Sequence, residues 1–415
     1  MSRTLGMLEW CAGWRMVRKF ARMRSVVVAI AACCVLSVAV LAGEYESAKS
    51  VILMIGDGMG TGQIEAARWT LVGEDGLLAM DHLAVQSGWS RTSDIDGSVT
   101  DSAAAATAMA TGQKTMNGRL SVSLTNDSLV TILEMARLRG KSVGLVTTVP
   151  LVHATPAAFA AHAPNRDKFL SIAVQLIEAG VDVLFGGGAQ YLLQFRETCE
   201  CGWSGWRADR RDLVVEAQLL GYTFICNQEG LASLDTDSVD RVLGVFANAE
   251  MLRPLVPTLA EMTTAAINIL SRDPDGFFLM IEGGLIDWVS HYNQADAAIE
   301  LTIGFDRAID VALDYTRGAG DTLLIVTADH DTGGMQAYHD ERDTSREDGP
   351  FFTPGGSPFF VDWLHTDHTN ADVPVRAEGP FAALLSGTYE NTRIFDVMVT
   401  SFGFGTGNQD SAFTE

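Results

Sequence analysis

The sequence predicts a three-layer α/β/α sandwich with a mostly parallel central sheet. Five short runs are almost entirely apolar, as expected of parallel strands covered on both faces, and they lie at 51–55, 143–146, 181–185, 277–281 and 323–326. Segments of helical period lie between them, at 129–139, 168–179 and 258–270. Strands that alternate with helices along a chain are typical of a parallel sheet with helices on both faces.

The first 42 residues are predicted to be a secretory signal peptide with an unusually long basic lead. Basic residues precede the apolar run 25–41, which ends at an acceptable cleavage site. The alternative is an uncleaved membrane anchor, because a run of about 17 apolar residues is at the short end for a span. We expect export to a periplasm or beyond, and a single domain over 43–415 with surface insertions near 195–210 and 340–357.

Charge and cysteine content restrict the partners of this domain. The formal net charge of −23 argues against nucleic acid and anionic membranes. An anionic substrate would therefore need local positive charge, which bound metal ions provide. Cleavage would leave Cys199, Cys201 and Cys226, an odd number that argues against a disulfide framework. Cys226 could pair with either of the other two in an oxidising compartment.

Polar, glycine-rich segments follow three of the predicted strands directly. They are Gly56-Asp57-Gly58-Met59-Gly60, Glu282-Gly283-Gly284 and Thr327-Ala328-Asp329-His330-Asp331-Thr332-Gly333-Gly334. Doubly wound sheets bind their ligands outside the carboxyl ends of the strands. Asp329 and His330 need partners or a metal there, because burying them unpaired is expensive.

A second group of candidate metal ligands lies further along the chain. Asp287 and His291 are four residues apart on a predicted helix and so share one face. His368 is a third candidate, and His365 nearby is equally eligible by composition. Mixed imidazole and carboxylate donors suit zinc, whereas sets of oxygen donors suit magnesium.

Ser102 lies behind Asp101 at the start of an alanine-rich run with strong helix propensity. A helix N-terminus favours an anion such as phosphate, and a serine there becomes a nucleophile if its pKa is lowered. The same pattern fits an ordinary N-cap. The other motifs of the chain are needed to decide between these readings.

Together these motifs resemble those of the alkaline phosphatase family, from Lys49 to about Gly403. The resemblance is carried by residues 56–60, 100–103, 154–158, 282–287 with His291, 327–330 with 333–334, and 368–369 with 372–375. It implies that phosphate monoesters are hydrolysed through a phosphoserine at Ser102, with release of the alcohol and inorganic phosphate. It also implies a homodimer, because family members are commonly homodimers.

The resemblance further implies two Zn²⁺ and one Mg²⁺ per chain, and a role for each ligand. The first zinc would be held by Asp287, His291 and His368, and the second by Asp57, Asp329, His330 and Ser102. The magnesium site would comprise Asp57, Thr155 and Glu282, with His153 beside it. Arg166 would grip two phosphate oxygens, since a guanidinium suits bidentate contact. His153 and Trp288 stand where some members have Asp and Lys.

Two other functions fit parts of the same pattern. A phosphodiesterase or sulfatase of the same superfamily is one, although the sequence has no Cys-x-Pro-x-Arg segment for a sulfatase nucleophile. A non-catalytic protein that binds phosphate or zinc is the other. It would require the loss of a nucleophile or a ligand, and every one that the resemblance implies is present.

Overall fold

A ten-stranded sheet forms the middle layer of this computed structural model, which describes residues 47–342 and 344–405. The predicted signal peptide lies outside the described residues. The strand order is β15-β2-β14-β8-β1-β7-β3-β4-β6-β5, and only β14 runs antiparallel to its neighbours. These strands are β1 (Ser50–Ile55), β2 (Val85–Arg91), β3 (Ser142–Pro150), β4 (Val183–Gly187), β5 (Thr223–Ile225), β6 (Val242–Val245), β7 (Phe277–Glu282), β8 (Thr322–Thr327), β14 (Val373–Glu378) and β15 (Gly387–Glu390).

Helices cover the sheet, and short strands extend the structure beyond it. The α-helices are α1 (Thr61–Leu71), α2 (Ser102–Thr111), α3 (Ile132–Leu138), α4 (Ala154–Ala160), α5 (Phe169–Glu178), α6 (Ala189–Leu192), α7 (Leu213–Leu219), α8 (Gln228–Ala232), α9 (Leu259–Leu270), α10 (Leu285–Ser290), α11 (Ala295–Ala319) and α12 (Thr392–Ser401). The 3₁₀ turns are Ala79–His82 and Ala382–Leu385. The short strands are β9 (Asp331–Thr332), β10 (Gln336–Tyr338), β11 (Asp348–Phe352), β12 (Pro358–Asp362) and β13 (His368–Thr369).

The five predicted apolar runs form five neighbouring parallel strands, β8, β1, β7, β3 and β4. Side chains of β1 alternate between two cores: Val51 and Leu53 face one, and Ile52 and Met54 face the other. The first core contains residues of α2, α3 and α4, and the second contains residues of α9 and α11. The predicted three-layer α/β/α sandwich with a mostly parallel sheet is confirmed.

Capping residues set the starts of two predicted helices. Thr131 and Thr258 each cap a helix, and each accepts a hydrogen bond from the backbone N–H of a glutamate three residues later. The side chain of that glutamate in turn accepts a hydrogen bond from the backbone N–H of the threonine. This capping box satisfies two backbone donors at once, so α3 begins at Ile132 rather than at residue 129.

The two predicted insertions differ in structure. Within residues 195–210 only isolated bridges are found, and buried Arg207 joins this segment to the carbonyls of Leu170 and Tyr191. A disulfide joins Cys201 to Cys226, and Cys199 is free. The segment 340–357 contributes β11, which pairs with β12. Among the described residues, no helix has the length and apolar character that a membrane span requires.

Candidate active site

Three neighbouring parallel strands end at the candidate site. Ile55, the last residue of β1, is in register with Thr327 of β8 and with Glu282 of β7. The polar segments that follow these strands therefore meet at one edge of the sheet, as the sequence predicts. Gly58 makes the turn after β1 with φ +67°, and a Cβ there would lie 2.6 Å from Thr332 Oγ1. A larger residue would push these segments apart.

Asp287, His291 and His368 form the first cluster. His291 Nε2 lies 3.3 Å from Asp287 Oδ1, His368 Nε2 lies 3.4 Å from the same oxygen, and the two Nε2 atoms are 3.1 Å apart. Ligands bound tetrahedrally to one zinc at its usual bond lengths lie about 3.3 Å from one another. The three atoms therefore have the spacing of a zinc ligand set.

Backbone carbonyls set the tautomers of both histidines in this cluster. His368 Nδ1 lies 2.8 Å from the carbonyl oxygen of Thr100, and His291 Nδ1 bonds that of Thr366. A carbonyl only accepts, so each Nδ1 carries the proton and donates it. Each neutral imidazole thus presents an unprotonated Nε2 to the cluster, which is the arrangement that metal-bound histidines usually have.

The first cluster attracts positive charge. The hydrogen bond that protonated His291 donates to Asp287 raises the pKa of His291 to about 9. Burial opposes protonation of His368, but Asp287 outweighs it and raises the pKa of His368 above its usual value. Two imidazolium rings with Nε2 atoms 3.1 Å apart would repel each other. A single divalent cation satisfies the same carboxylate without that repulsion.

Asp57, Asp329, His330 and Ser102 form the second cluster. His330 Nε2 lies 3.3 Å from Asp329 Oδ2, 3.4 Å from Ser102 Oγ and 3.5 Å from Asp57 Oδ1. These distances are again close to the roughly 3.3 Å between the ligands of a tetrahedral zinc. His330 Nδ1 lies 3.2 Å from Thr332 Oγ1, so the hydroxyl of Thr332 orients this ring.

The carboxylates of the second cluster are buried without hydrogen bonds that match their charge. Neither oxygen of Asp57 has a hydrogen-bond partner, and Asp329 Oδ2 has none. Burial and then the charge of Asp329 raise the pKa of Asp57 well above its usual value. Burial likewise raises the pKa of Asp329 to about 6. Buried anions without partners are costly, and a bound cation would compensate this donor set.

Asp57, His153 and Glu282 form a third cluster, whose ligand atoms lie within 4.8 Å of one another. Thr155 begins the first turn of α4, and its Oγ1 is buried without a hydrogen-bond partner. Burial raises the pKa of Glu282 to about 7, although Thr147 donates a hydrogen bond to Glu282. Apart from His153 the donors are oxygens, which suits magnesium.

Ser102 is the first residue of α2 and is 2% exposed. Asp101 caps this helix, because its Oδ1 accepts a hydrogen bond of 2.9 Å from the backbone N–H of Ala104. The predicted helix start is thus found, with the capping carboxylate and the adjacent hydroxyl side by side. The free N–H groups of the first turn and the helix dipole favour an anion at Ser102.

Arg166 lies beside Ser102 and is held by two side chains. Its Nη1 donates to Asp101 Oδ2 at 3.0 Å, and its Nη2 donates to His153 Nε2 at 3.2 Å. Burial, and then the Arg166 charge, lower the pKa of His153 to about 3, so the ring is neutral and accepts this bond. The sequence indicated Asp101 only as a cap. Its second role depends on tertiary structure.

A cavity of about 460 Å³ connects Ser102, Arg166 and the first cluster to solvent. It is lined by Ser102, His153, Arg166, Asp287, Trp288, His291, Tyr292 and His368. His365 does not line it, and His365 Nδ1 instead accepts a hydrogen bond from the backbone N–H of Asp367. The structure therefore brings His368, and not His365, to the site. Sequence reasoning missed Tyr292. Its position directly after His291 was the one signal in the sequence that placed it near the site.

Comparison with known proteins agrees with this geometry. The family model for alkaline phosphatase matches residues 48–352. The chain belongs to the alkaline phosphatase family. It is 31% identical to alkaline phosphatase 4 of Bacillus subtilis, over 92% of this chain and 98% of that one. It is 33% identical to the alkaline phosphatase of Escherichia coli, over 86% of each.

Solved alkaline phosphatases have the same fold. The enzyme from the Antarctic bacterium TAB5 superposes with a TM-score of 0.75 at 30% identity, covering 87% of this chain and all of that one (100%). A variant of that enzyme, with a histidine replaced by glutamate, has magnesium bound in a site named M3. The chain is therefore a phosphatase of a family that acts on small phosphate monoesters, and its three clusters are candidate metal sites.

The burial of Asp57 predicts that its replacement changes the free energy of unfolding in opposite directions with chelator and with zinc. In chelator, Asp57→Asn should raise the free energy of unfolding by about 1–3 kcal/mol, because it removes a carboxyl whose ionisation burial opposes and adds an amide donor beside Glu282 and Asp329. With zinc present, the same variant should be less stable than wild type, because the second cluster loses a ligand. Thermal unfolding in each condition measures both effects.

Asp306→Asn is the matched control for this prediction. Asp306 is also a buried aspartate with a raised pKa, caused mainly by burial, but its oxygens accept hydrogen bonds from the backbone N–H groups of Ala79 and Met80. Its replacement should destabilise the protein equally with and without zinc. A loss of stability for Asp57→Asn in chelator would contradict a cation-dependent site.

Proposed function

We propose that this alkaline phosphatase hydrolyses phosphate monoesters through a phosphoserine at Ser102, with two Zn²⁺ and one Mg²⁺ per chain. One observation carries the proposal. Ser102 Oγ lies 3.4 Å from His330 Nε2, close to the spacing of two ligands of one zinc ion, beside buried carboxylate oxygens that have no hydrogen-bond partner. A serine in that place is both a ligand and a nucleophile at the start of a helix.

Two clusters fit zinc and one fits magnesium. Asp287, His291 and His368 would hold one zinc ion, and Asp57, Asp329 and His330 with Ser102 would hold the other. Asp57, Thr155 and Glu282, with His153 beside them, would hold magnesium. When bound, the cations supply positive charge that increases the acidity of a hydroxyl or water and neutralises the developing charge on oxygen.

The remaining steps belong to the side chains of the protein. Arg166, held by Asp101, binds two phosphate oxygens and orients the phosphorus toward Ser102. Ser102 Oγ loses its proton and forms a bond to phosphorus while the bond from phosphorus to the ester oxygen breaks, and that oxygen leaves as the alcohol after gaining a proton. Water then attacks the phosphoserine, the bond between Oγ and phosphorus breaks, Oγ regains a proton and phosphate leaves. Positioning and charge neutralisation account for most of this catalysis.

We further propose that the protein is exported and forms a homodimer. Support for export comes from the predicted signal peptide and from the Cys201–Cys226 disulfide, since disulfides persist in oxidising compartments. Support for the homodimer is the family resemblance alone. Fractionation of the native host and light scattering of the purified protein test the two points separately.

Replacement of the nucleophile tests the proposed mechanism. Ser102→Ala should lower kcat for p-nitrophenyl phosphate at least about 1,000-fold, because the phosphoserine cannot form. Phosphate trapped on wild type at mildly acidic pH should map to Ser102. Ser238→Ala, at an exposed serine outside the cavity, is the control and should keep full activity. Full activity of Ser102→Ala would contradict the mechanism, and faster hydrolysis of bis(p-nitrophenyl) phosphate would favour a diesterase.

A pair of nearby histidines tests the zinc assignment. His368→Ala should lower the zinc content by about one ion per chain, because the first cluster loses one of its three ligands. His365→Ala, three residues earlier, should leave the zinc content unchanged. Chelation should abolish activity, and zinc should restore it better than calcium does, because imidazole ligands disfavour calcium. Metal analysis of the purified variants decides between the histidines, and the reverse ranking would contradict the assignment.

His153 tests the magnesium site. His153→Asp should tighten magnesium binding about 10- to 100-fold, because a carboxylate adds charge where a neutral ring now stands. The TAB5 variant with magnesium bound and a histidine replaced by an acid supports this direction. Calorimetric titration of zinc-loaded protein with magnesium measures it. Unchanged affinity would contradict a role for residue 153 in this site.

A further inference from the structure

Two aromatic residues line the catalytic cavity without a role in the proposed function. They are Trp288 and Tyr292. The other six lining residues are all metal ligands, the phosphate-binding arginine or its partner. A volume of about 460 Å³ falls within the range of about 300–1,000 Å³ that small-molecule pockets have. The cavity thus has room for a group attached to the phosphate, and that group is the leaving alcohol.

The in-line geometry of phosphoryl transfer places this leaving group. The attacking and departing oxygens lie on opposite sides of the phosphorus. Ser102 Oγ belongs to the second cluster, and the proposed function assigns Arg166, with its partner His153, to the phosphate oxygens. The departing oxygen then faces the rest of the lining, which is the first cluster with Trp288 and Tyr292. Trp288 directly follows one ligand of that cluster in the chain, and Tyr292 directly follows another. Because both rings line this same cavity, the leaving group is within reach of them.

The two rings differ in how firmly they are held. Trp288 is half-buried, packs against the second core and meets the His153 ring edge-on at a centroid distance of 5.4 Å. Tyr292 is 77% exposed, whereas no other Phe, Tyr or Trp ring in 47–342 and 344–405 exceeds 56%. A ring so exposed contributes little to the core. Its position is explained if it contacts a ligand in the cavity.

We propose that Trp288 and Tyr292 form a leaving-group subsite that favours monoesters of planar aromatic alcohols over those of small aliphatic alcohols. This subsite rests on the proposed function, because that function sets the direction of the leaving group. Flat rings attract one another through offset or edge-to-face contact, and such pairs strengthen binding by about 2- to 12-fold beyond the area they bury. A small aliphatic group has no ring face to contribute.

The test compares phosphonates, which bind but are not hydrolysed. Zinc-loaded wild type, Tyr292→Ala and Tyr292→Phe are titrated calorimetrically with phenylphosphonate, methylphosphonate and inorganic phosphate. Tyr292→Ala should weaken phenylphosphonate about 2- to 12-fold and change the other two less than about twofold, and Tyr292→Phe should bind all three like wild type. The kcat/KM ratio of phenyl phosphate to ethyl phosphate should fall by the same factor in Tyr292→Ala.

Phe352→Ala is the control, since Phe352 is 56% exposed and does not line the cavity. It should match wild type for every ligand. Equal weakening of all three ligands by Tyr292→Ala, no weakening of phenylphosphonate, or an equal loss in Tyr292→Phe would each overturn the aromatic subsite. If wild type binds the phosphonates selectively but forms no phosphoserine, the mechanism fails while the subsite stands.

Discussion

The structure depends on four carboxylates that lie close together in its interior. Asp57, Glu282, Asp287 and Asp329 are each at most 5% exposed. Burial raises the pKa of Asp57, Glu282 and Asp329, whereas hydrogen bonds with His291 and His368 outweigh burial and lower the pKa of Asp287. No arrangement of neutral hydrogen bonds compensates four buried negative charges. Divalent cations do so, and this electrostatic requirement explains why the clusters are adjacent. Bringing these carboxylates together in the interior lowers the free energy of unfolding of the cation-free protein.

The sheet makes that arrangement possible. Adjacent parallel strands end at the same edge, so residues that are 230 or more positions apart in the chain, such as Asp57 and Asp287, meet without long loops. Outer oxygens then orient the metal-binding groups. Carbonyls fix the rings of His291 and His368, and a threonine hydroxyl contacts the ring of His330. The rotamers of the ligands are therefore set by the fold before any cation arrives.

Sequence reasoning predicted much of this site and less of its surroundings. Apolar runs located the five central strands, because a strand buried on both faces has a distinct composition. Composition did not show strands such as β2, where exposed residues interrupt the apolar pattern, or β14, where a proline, an arginine and a glutamate do so. Most of the candidate metal ligands follow strand ends and match family motifs. Contacts such as that of Arg166 with Asp101 and His153 join residues with no shared local pattern.

The cavity has a base of buried residues and an exposed rim that includes Tyr292, and the two parts contact different parts of a substrate. At the base, buried carboxylates and oriented imidazoles surround Ser102 and Arg166, where we propose that the phosphoryl group binds. At the rim, Tyr292 makes few contacts with the fold, so its replacement costs little stability. Substrate preference can therefore change at Trp288 and Tyr292 while the catalytic groups stay constant.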